Sequence, residues 1–395
     1  MDLAPSGRPV ARILDDAVAG RRISAGDLHT LLLEGDLLEL GLAADAVRRR
    51  FTDPEVATYN VDRNINYTNV CVYRCRFCAF YREPGDPEGY LLPFEEIGRK
   101  IEETLALNGT GILMQGGVHP DLPLSYYEDL LRYIRQRYPE LHVHAFSPPE
   151  VKFVARKERM SFYEVIARLK EAGLMSIPGG GAELLSDPIR KEVLAYPKCS
   201  AEEWIDVMRQ AHRNGLRTSA TMMYGMGEDL AARVEHMQRV RDLQDETGGF
   251  TAFISWTFQH EHTEMAEVPE TYAEEYLRTL AVSRLFFDNV VHFQTSWVTQ
   301  GKKIGQLALA FGADDMGSIM IEENVVSSAG THYRMSQDEM EHLIESAGYT
   351  PRQRTNLYER LVTREETAEL ARHYRGALTP QNRDLLSGAL LPVVA

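Results

Sequence analysis

At 395 residues the chain is long enough for one to three domains, or for a single α/β barrel, a fold that alone runs to about 250 residues or more. Its composition, 44% hydrophobic and 26% charged, is that of a globular protein. A net charge of −15, with no basic run beyond Arg48–Arg50, argues against nucleic acid as a partner.

No apolar run approaches the ~20 residues that span a bilayer. The N-terminus lacks the apolar core and cleavage site of a signal peptide. Four cysteines, three of them clustered, do not make a disulfide framework. A cytoplasmic protein with reduced thiols and no membrane partner is expected.

Residues 1–60 read as a helical leader. Ser24 caps a helix with Asp27 three residues on, and Leu28, Leu31 and Leu32 recur at helical spacing. Asp53-Pro54 reads as a second helix start. From residue 61, short apolar or β-branched runs alternate with longer amphipathic ones. Strands are expected at 63–70, 111–115, 141–146, 174–177, 217–223, 250–258, 291–296 and 314–320. Helices are expected at 94–107, 124–138, 160–172, 201–214, 229–246, 270–288 and 301–311, and Ser200-Ala201-Glu202-Glu203 is a capping box for one of them. This alternation predicts a complete TIM-type (β/α)8 barrel over 61–320, with helical additions at both ends. The tail, 321–395, predicts a loop and one helix at 336–347 that caps the barrel. In such barrels the chemistry sits on the loops that follow the strands.

Cys71, Cys75 and Cys78 follow the first expected strand as C-x3-C-x2-C. A structural zinc site wants four protein ligands. Cys199 is remote in sequence and reads as structural, while His119, His142 and His144 lack paired spacing. An iron–sulfur cluster usually takes four thiolates, so three leave one iron open to a non-protein ligand.

Other strand ends carry polar or glycine-rich turns. Ser147-Pro148-Pro149-Glu150 holds Ser147 and Glu150 on a rigid loop, as cofactor contacts or as a helix entry. Gly179-Gly180-Gly181, with Glu183 after it, suits a backbone nest for a carboxylate. His119 is a candidate proton carrier. His142 and His144 alternate on one strand and should point to the same side.

The cysteine spacing after the first strand of a parallel barrel resembles the radical S-adenosylmethionine enzymes. The resemblance implies a [4Fe–4S] cluster on Cys71, Cys75 and Cys78, with S-adenosylmethionine as co-substrate on the open iron. It implies further cofactor contacts at Phe77, at Gln115-Gly116-Gly117, around Ser147 and Glu150, at Gly180, Gly181 and Glu183, and at Gly225 and Glu228. Arg63, Asn66, Phe80 and Tyr81, flanking the cysteines, read as parts of the same pocket. Val118 stands where family members often have an acid, so the Gly-Gly match is partial.

Longer segments, among them SIPGGGAELLSD, TAFISWTFQ and FGADDMGSIMIEENVVSSAG, resemble the branch of this family on the futalosine route to menaquinone. The branch implies a radical ring closure on dehypoxanthine futalosine: hydrogen leaves C4′ of the ribose and the carbon radical attacks the benzoate ring. Aminofutalosine synthase and the second component of FO synthase share parts of the resemblance. It further implies a small-molecule substrate and an electron donor such as flavodoxin or ferredoxin. Substrate contacts are expected at Trp256, Thr257 and Gln259, at Ser296, Trp297 and Gln300, and at Glu322, Glu323 and Asn324. Glu183, His119 and Asp314 are the candidates for the catalytic base. A zinc-dependent barrel hydrolase and an iron–sulfur electron carrier are the rivals from other classes.

Overall fold

Short runs of β-formers separated by helix-length segments can return each strand parallel to the last. The computed structural model, which describes residues 3–195, 197–331, 333–383 and 385, shows this arrangement. Its strands are β1 (Val56–Asn60), β2 (Asp62–Ile65), β3 (Gly111–Met114), β4 (His142–Ala145), β5 (Ser176–Ile177), β6 (Arg217–Tyr224), β7 (Phe250–Thr257), β8 (His292–Gln294), β9 (Asp315–Ser318), β10 (Thr350–Arg354) and β11 (Leu361–Val362). They form one sheet in the order β11-β10-β1-β9-β8-β7-β6-β5-β4-β3-β2.

From β2 to β9 every neighbour pair is parallel. β1 and β2 are one stretch of chain interrupted at Val61; β1 pairs in parallel with β9 while β2 pairs with β3. The bonds Ile319 N–H to Asn60 O (3.1 Å) and Ile321 N–H to Asp62 O (3.3 Å) carry this pairing past the break and close the ring.

The seven expected helices are present with shifted ends, joined by short helices at Asp187–Glu192 and Trp297–Gln300 and by a longer one at Pro148–Glu158. It forms because proline is tolerated in the first turn and because Ser147 and Glu150 make a capping box. The hydrophobic core lies between strands and helices. The inside of the ring also carries polar side chains, with Asn60, Asp62, Asn64, His144, Ser219, Thr221 and Gln294 lining it beside Leu113, Met223 and Ile254. Barrels of this kind are ordinarily filled there by branched aliphatic side chains.

Both ends of the chain hold more than the sequence suggests. The leader is three helices, Val10–Val18, Ala25–Glu34 and Leu37–Phe51, the second with the expected Ser24–Asp27 capping box. Asp53-Pro54 starts no helix, because the chain there turns into β1, which is flanked on both sides by parallel partners. After the expected helix, found at Gln337–Ser346, come β10, β11 and a helix at Arg364–Tyr374 that packs on Phe94–Ala106. TPRQR and LV are too short and too polar to announce strands in sequence. Residues 386–395 of the expected C-terminal segment lie outside the described residues.

The turn between β10 and β11 closes the amino-terminal end of the barrel. Arg354 binds both carboxylate oxygens of Asp315, one at 2.9 Å. Tyr358 stacks on His292, centroids 3.9 Å apart and rings 9° from parallel. Gly111 leaves the room that Asn356 fills: a Cβ there would lie 2.2 Å from Asn356 Oδ1.

Candidate active site

The cysteines lie on the irregular stretch that leaves β2. Residues 66–91 contain no helix and no strand beyond two isolated bridges, so backbone hydrogen bonds to other loops set their path. Cys71 N–H donates to Arg82 O (2.9 Å), Val72 N–H to Val118 O (3.0 Å) and Arg76 N–H to Val193 O (3.2 Å); Glu264 N–H donates to Arg76 O (3.0 Å). Cys75 is buried, and Cys71 and Cys78 are half-buried. Burial pushes the Cys75 thiol up to about 12 against the pull of Lys198, and burial raises Cys71 too.

Among the described residues no three His, Cys, Asp or Glu side chains converge where a single ion would sit. The zinc hydrolase reading therefore finds no mononuclear site. A four-iron cluster asks for something different: one thiolate on each of three irons, spread around a cube. Three cysteines on one open loop fit that donor set, and loading would release the proton that burial now holds on Cys75.

Beneath the loop, a cavity of about 400 Å³ runs from Phe77, Cys78 and Ala79 at the carboxyl ends of the strands down to Arg354, Asn356 and Tyr358. Its size suits a small organic ligand. Gln115 and the Gly179–Gly181 turn form one side, in contact so close that a Cβ on Gly180 would lie 2.2 Å from Gln115 Nε2. The turn is built by donors behind it: Thr221 Oγ1 to Gly179 O (2.5 Å), Trp204 Nε1 to Gly180 O (3.2 Å) and Arg190 to Gly181 O (3.0 Å). Glu183 faces the cavity and accepts from Lys198 Nζ (2.8 Å) and Arg190 (3.3 Å). The Lys198 ammonium also lies 5.0 Å from the centroid of the Phe77 ring. Trp256, Thr257, Gln259, Ser296, Trp297 and Glu323 line the remaining wall.

Other expected site residues do not line the cavity. Arg63 points outward, to Glu103 (2.7 Å) and Glu322 (2.6 Å), because successive strand residues face opposite sides. Asp62 and Asn64 take the inward positions. Asn66 bonds Gln115 O and Asn324, so Asn66, Glu322 and Asn324 belong to a brace outside the barrel. Phe80 and Tyr81 lie beyond the cavity, Tyr81 beside an outer groove.

Glu150 is buried and accepts from Tyr67 OH (2.6 Å), Ser147 N–H (2.7 Å) and Gly116 N–H (3.3 Å). Ser147 and Glu150 thus anchor the Gly116-Gly117 turn from behind. Gly116 packs under the Tyr67 ring and Gly117 against the Val70 backbone. Glu228 accepts from Gly225 N–H, Met226 N–H and Arg233 and folds its own turn. Gln300 donates to Thr257 Oγ1 (2.6 Å).

Two of the three candidate bases do not line the cavity either. His119 sits on the loop after β3, where it accepts from Asp121 N–H (3.2 Å). Asp314 precedes β9 at the amino end of the barrel, held by Arg284 (2.6 Å), His292 (2.7 Å) and Phe293 N–H (2.7 Å). His142 and His144 do share a face, and both reach Ser176 Oγ, at 2.7 and 2.6 Å. Sequence reasoning missed Asp62, Asn64, Arg190, Lys198, Arg354 and Tyr358. Only the first two had a signal, the period-2 alternation around Arg63.

The chain is similar to known proteins along most of its length. Residues 65–240 match the Radical SAM superfamily, and residues 247–367 match the CofH/MqnC C-terminal region. The chain is 47% identical over 354 residues to the cyclic dehypoxanthine futalosine synthase of Halalkalibacterium halodurans, covering 90% of this chain and 95% of that one. It is 47% identical over 359 residues to the protein of the same name in Streptomyces coelicolor, covering 90% of each. It is 38% identical over 363 residues to the 5-amino-6-(D-ribitylamino)uracil–L-tyrosine 4-hydroxyphenyl transferase of Methanopyrus kandleri, covering 90% and 98%. Among solved structures, methylornithine synthase (PylB) shares the fold with TM-score 0.66 at 17% identity, over 86% of this chain and 97% of that one.

Proposed function

The chain belongs to the radical S-adenosylmethionine superfamily, and we propose that it is the enzyme that closes dehypoxanthine futalosine into cyclic dehypoxanthine futalosine on the way to menaquinone. The observation that carries the reading is 47% identity to synthases of that name along 90% of the chain. A [4Fe–4S] cluster with S-adenosylmethionine, the cofactors of this family, supplies a primary carbon radical when bound.

The chain's own residues supply the rest. Cys71, Cys75 and Cys78 would hold the cluster. Phe77, Gln115 and the Gly179–Gly181 turn flank the space beside them and would hold S-adenosylmethionine. Met223, Ile254 and Trp256 give the cavity an apolar wall, suited to an aromatic ring and to keeping water from a radical. Glu183 is the candidate base that reaches the cavity, and we assign it the ring proton. A flavodoxin or ferredoxin is the proposed reductant, and the cytoplasm the proposed location; no described helix is long and apolar enough to cross a membrane.

The test is anaerobic turnover. Protein with a rebuilt cluster is given S-adenosylmethionine, dithionite and dehypoxanthine futalosine, and cyclised product should form together with 5′-deoxyadenosine. Product from 5-amino-6-(D-ribitylamino)uracil and tyrosine instead would overturn the cyclase assignment.

A further inference from the structure

We propose that Asp62 and Asn64, on the inner face of β2, form a subsite that accepts two hydroxyl hydrogens from the sugar of the substrate; this rests on the cyclase reading. Both side chains line the cavity, and their residues are 8% and 5% exposed. Each carries a buried oxygen with no hydrogen-bond partner among the described residues, Asp62 Oδ1 and Asn64 Oδ1. The other oxygen of Asp62 is occupied, accepting from Asn60 Nδ2 at 3.0 Å.

Buried acceptors are nearly always paired, because one left without a donor loses the hydrogen bond it had in water. Here two unpaired acceptors stand two residues apart on one strand. They therefore face the same way, roughly 7 Å from each other along it. A ligand in the cavity that both side chains line can bring those donors.

The chemistry of the pair narrows the donor. A carboxyl oxygen and an amide carbonyl call for O–H groups, which an anionic benzoate does not have. The apolar wall of Met223, Ile254 and Trp256 suits the aromatic ring instead. With its hydroxyls on Asp62 and Asn64, deep in the barrel, the sugar turns its remaining carbons up toward Cys78 and Phe77. That orientation presents a ribose C–H to the cysteine loop, as the reaction requires.

The experiment is anaerobic calorimetric titration of the cluster-loaded protein, with S-adenosylmethionine present and no reductant, with dehypoxanthine futalosine and with its 2′,3′-dideoxy analogue. Wild type should bind the analogue roughly 10- to 100-fold more weakly. Asn64→Leu should bind the natural ligand at least about 10-fold more weakly and discriminate less between the two. Asn64→Asp, which keeps an acceptor, should retain most of the discrimination, and melting curves identify any variant that fails to fold. Equal affinity of wild type for both ligands would overturn the subsite, as would unchanged discrimination in Asn64→Leu; the orphaned oxygens would then be served by water. Binding of neither ligand by wild type would instead remove the cyclase reading, and the subsite with it.

Discussion

Around the cysteine loop, at the carboxyl end of the strands, the chain is held by its backbone: Cys71, Val72 and Arg76 donate N–H groups to Arg82, Val118 and Val193. The amino end is closed by side chains instead. Arg354 grips Asp315, Tyr358 stacks on His292, and Arg284 and His292 share Asp314. The difference follows from what each end must do. Backbone anchors leave the thiols and Phe77 free to face a ligand, whereas the floor commits charged side chains such as Arg354 and Asp315 to holding the fold. Substitutions at the mouth should therefore remove activity with little loss of stability, and substitutions at the floor should do the reverse.

The sharpest test at the mouth is Cys75→Ala. Formation of 5′-deoxyadenosine should fall to background while the urea unfolding midpoint barely moves. Normal release from this variant would end the radical reading. At the floor, Arg354→Met leaves Asp315 buried without its partner, and stability should drop by about 3–5 kcal/mol in urea denaturation. Replacing Asp315 by Leu in the same chain should recover part of it, since both charges are then gone.

A third test uses pH. Burial pushes His142 down to about 4. It pushes His144 down to about 3, with help from His142 and Arg354. Both would titrate near 6.5 in the unfolded chain. Between those values the unfolded chain binds protons that the fold refuses, so their contribution is full above pH 6.5 and declines as pH falls toward 4 and then 3. The slope is at most about 1.4 kcal/mol per pH unit for each histidine. Urea midpoints between pH 7 and 5 should fall, and His144→Gln should flatten the fall. An unchanged slope in that variant would place the acid sensitivity elsewhere.

Much of the mouth could be read in advance because its signals are local. The cysteine spacing, the triple glycine and the strand–helix alternation each occupy a few consecutive residues. The phase of β2 could not. In DRNI only Ile65, at the end of the strand, is apolar and shares a side with Arg63, a single residue against three polar ones, and Arg63 was expected where Asp62 and Asn64 stand. Ser147–Glu150 suggested a cofactor contact, yet S-x-x-E is also a capping signature, and the fold uses it that way. Asp314 opens the strand expected at 314–320, so its place at the amino end, away from the loops that follow the strands, was already legible. The floor was the least legible part, since β10 pairs with a strand almost 300 residues earlier and carries no apolar pattern.

The smallest expected effects come from a matched pair of glycines, one at each end. A Cβ on Gly117 would lie 2.3 Å from Val70 O and 2.7 Å from Val70 C, both backbone atoms and both next to Cys71. Backbone cannot step aside without moving the loop, so Gly117→Ala should cost about 1–3 kcal/mol and lower turnover more than that loss of stability explains. A Cβ on Gly111 would meet the tip of the Asn356 side chain. That tip can swing away, so Gly111→Ala should cost less than about 1.5 kcal/mol and leave turnover near wild type. Melting and turnover measured on both variants decide the matter. If Gly111→Ala reduced turnover as much as Gly117→Ala, the floor would be part of the catalytic apparatus rather than its support.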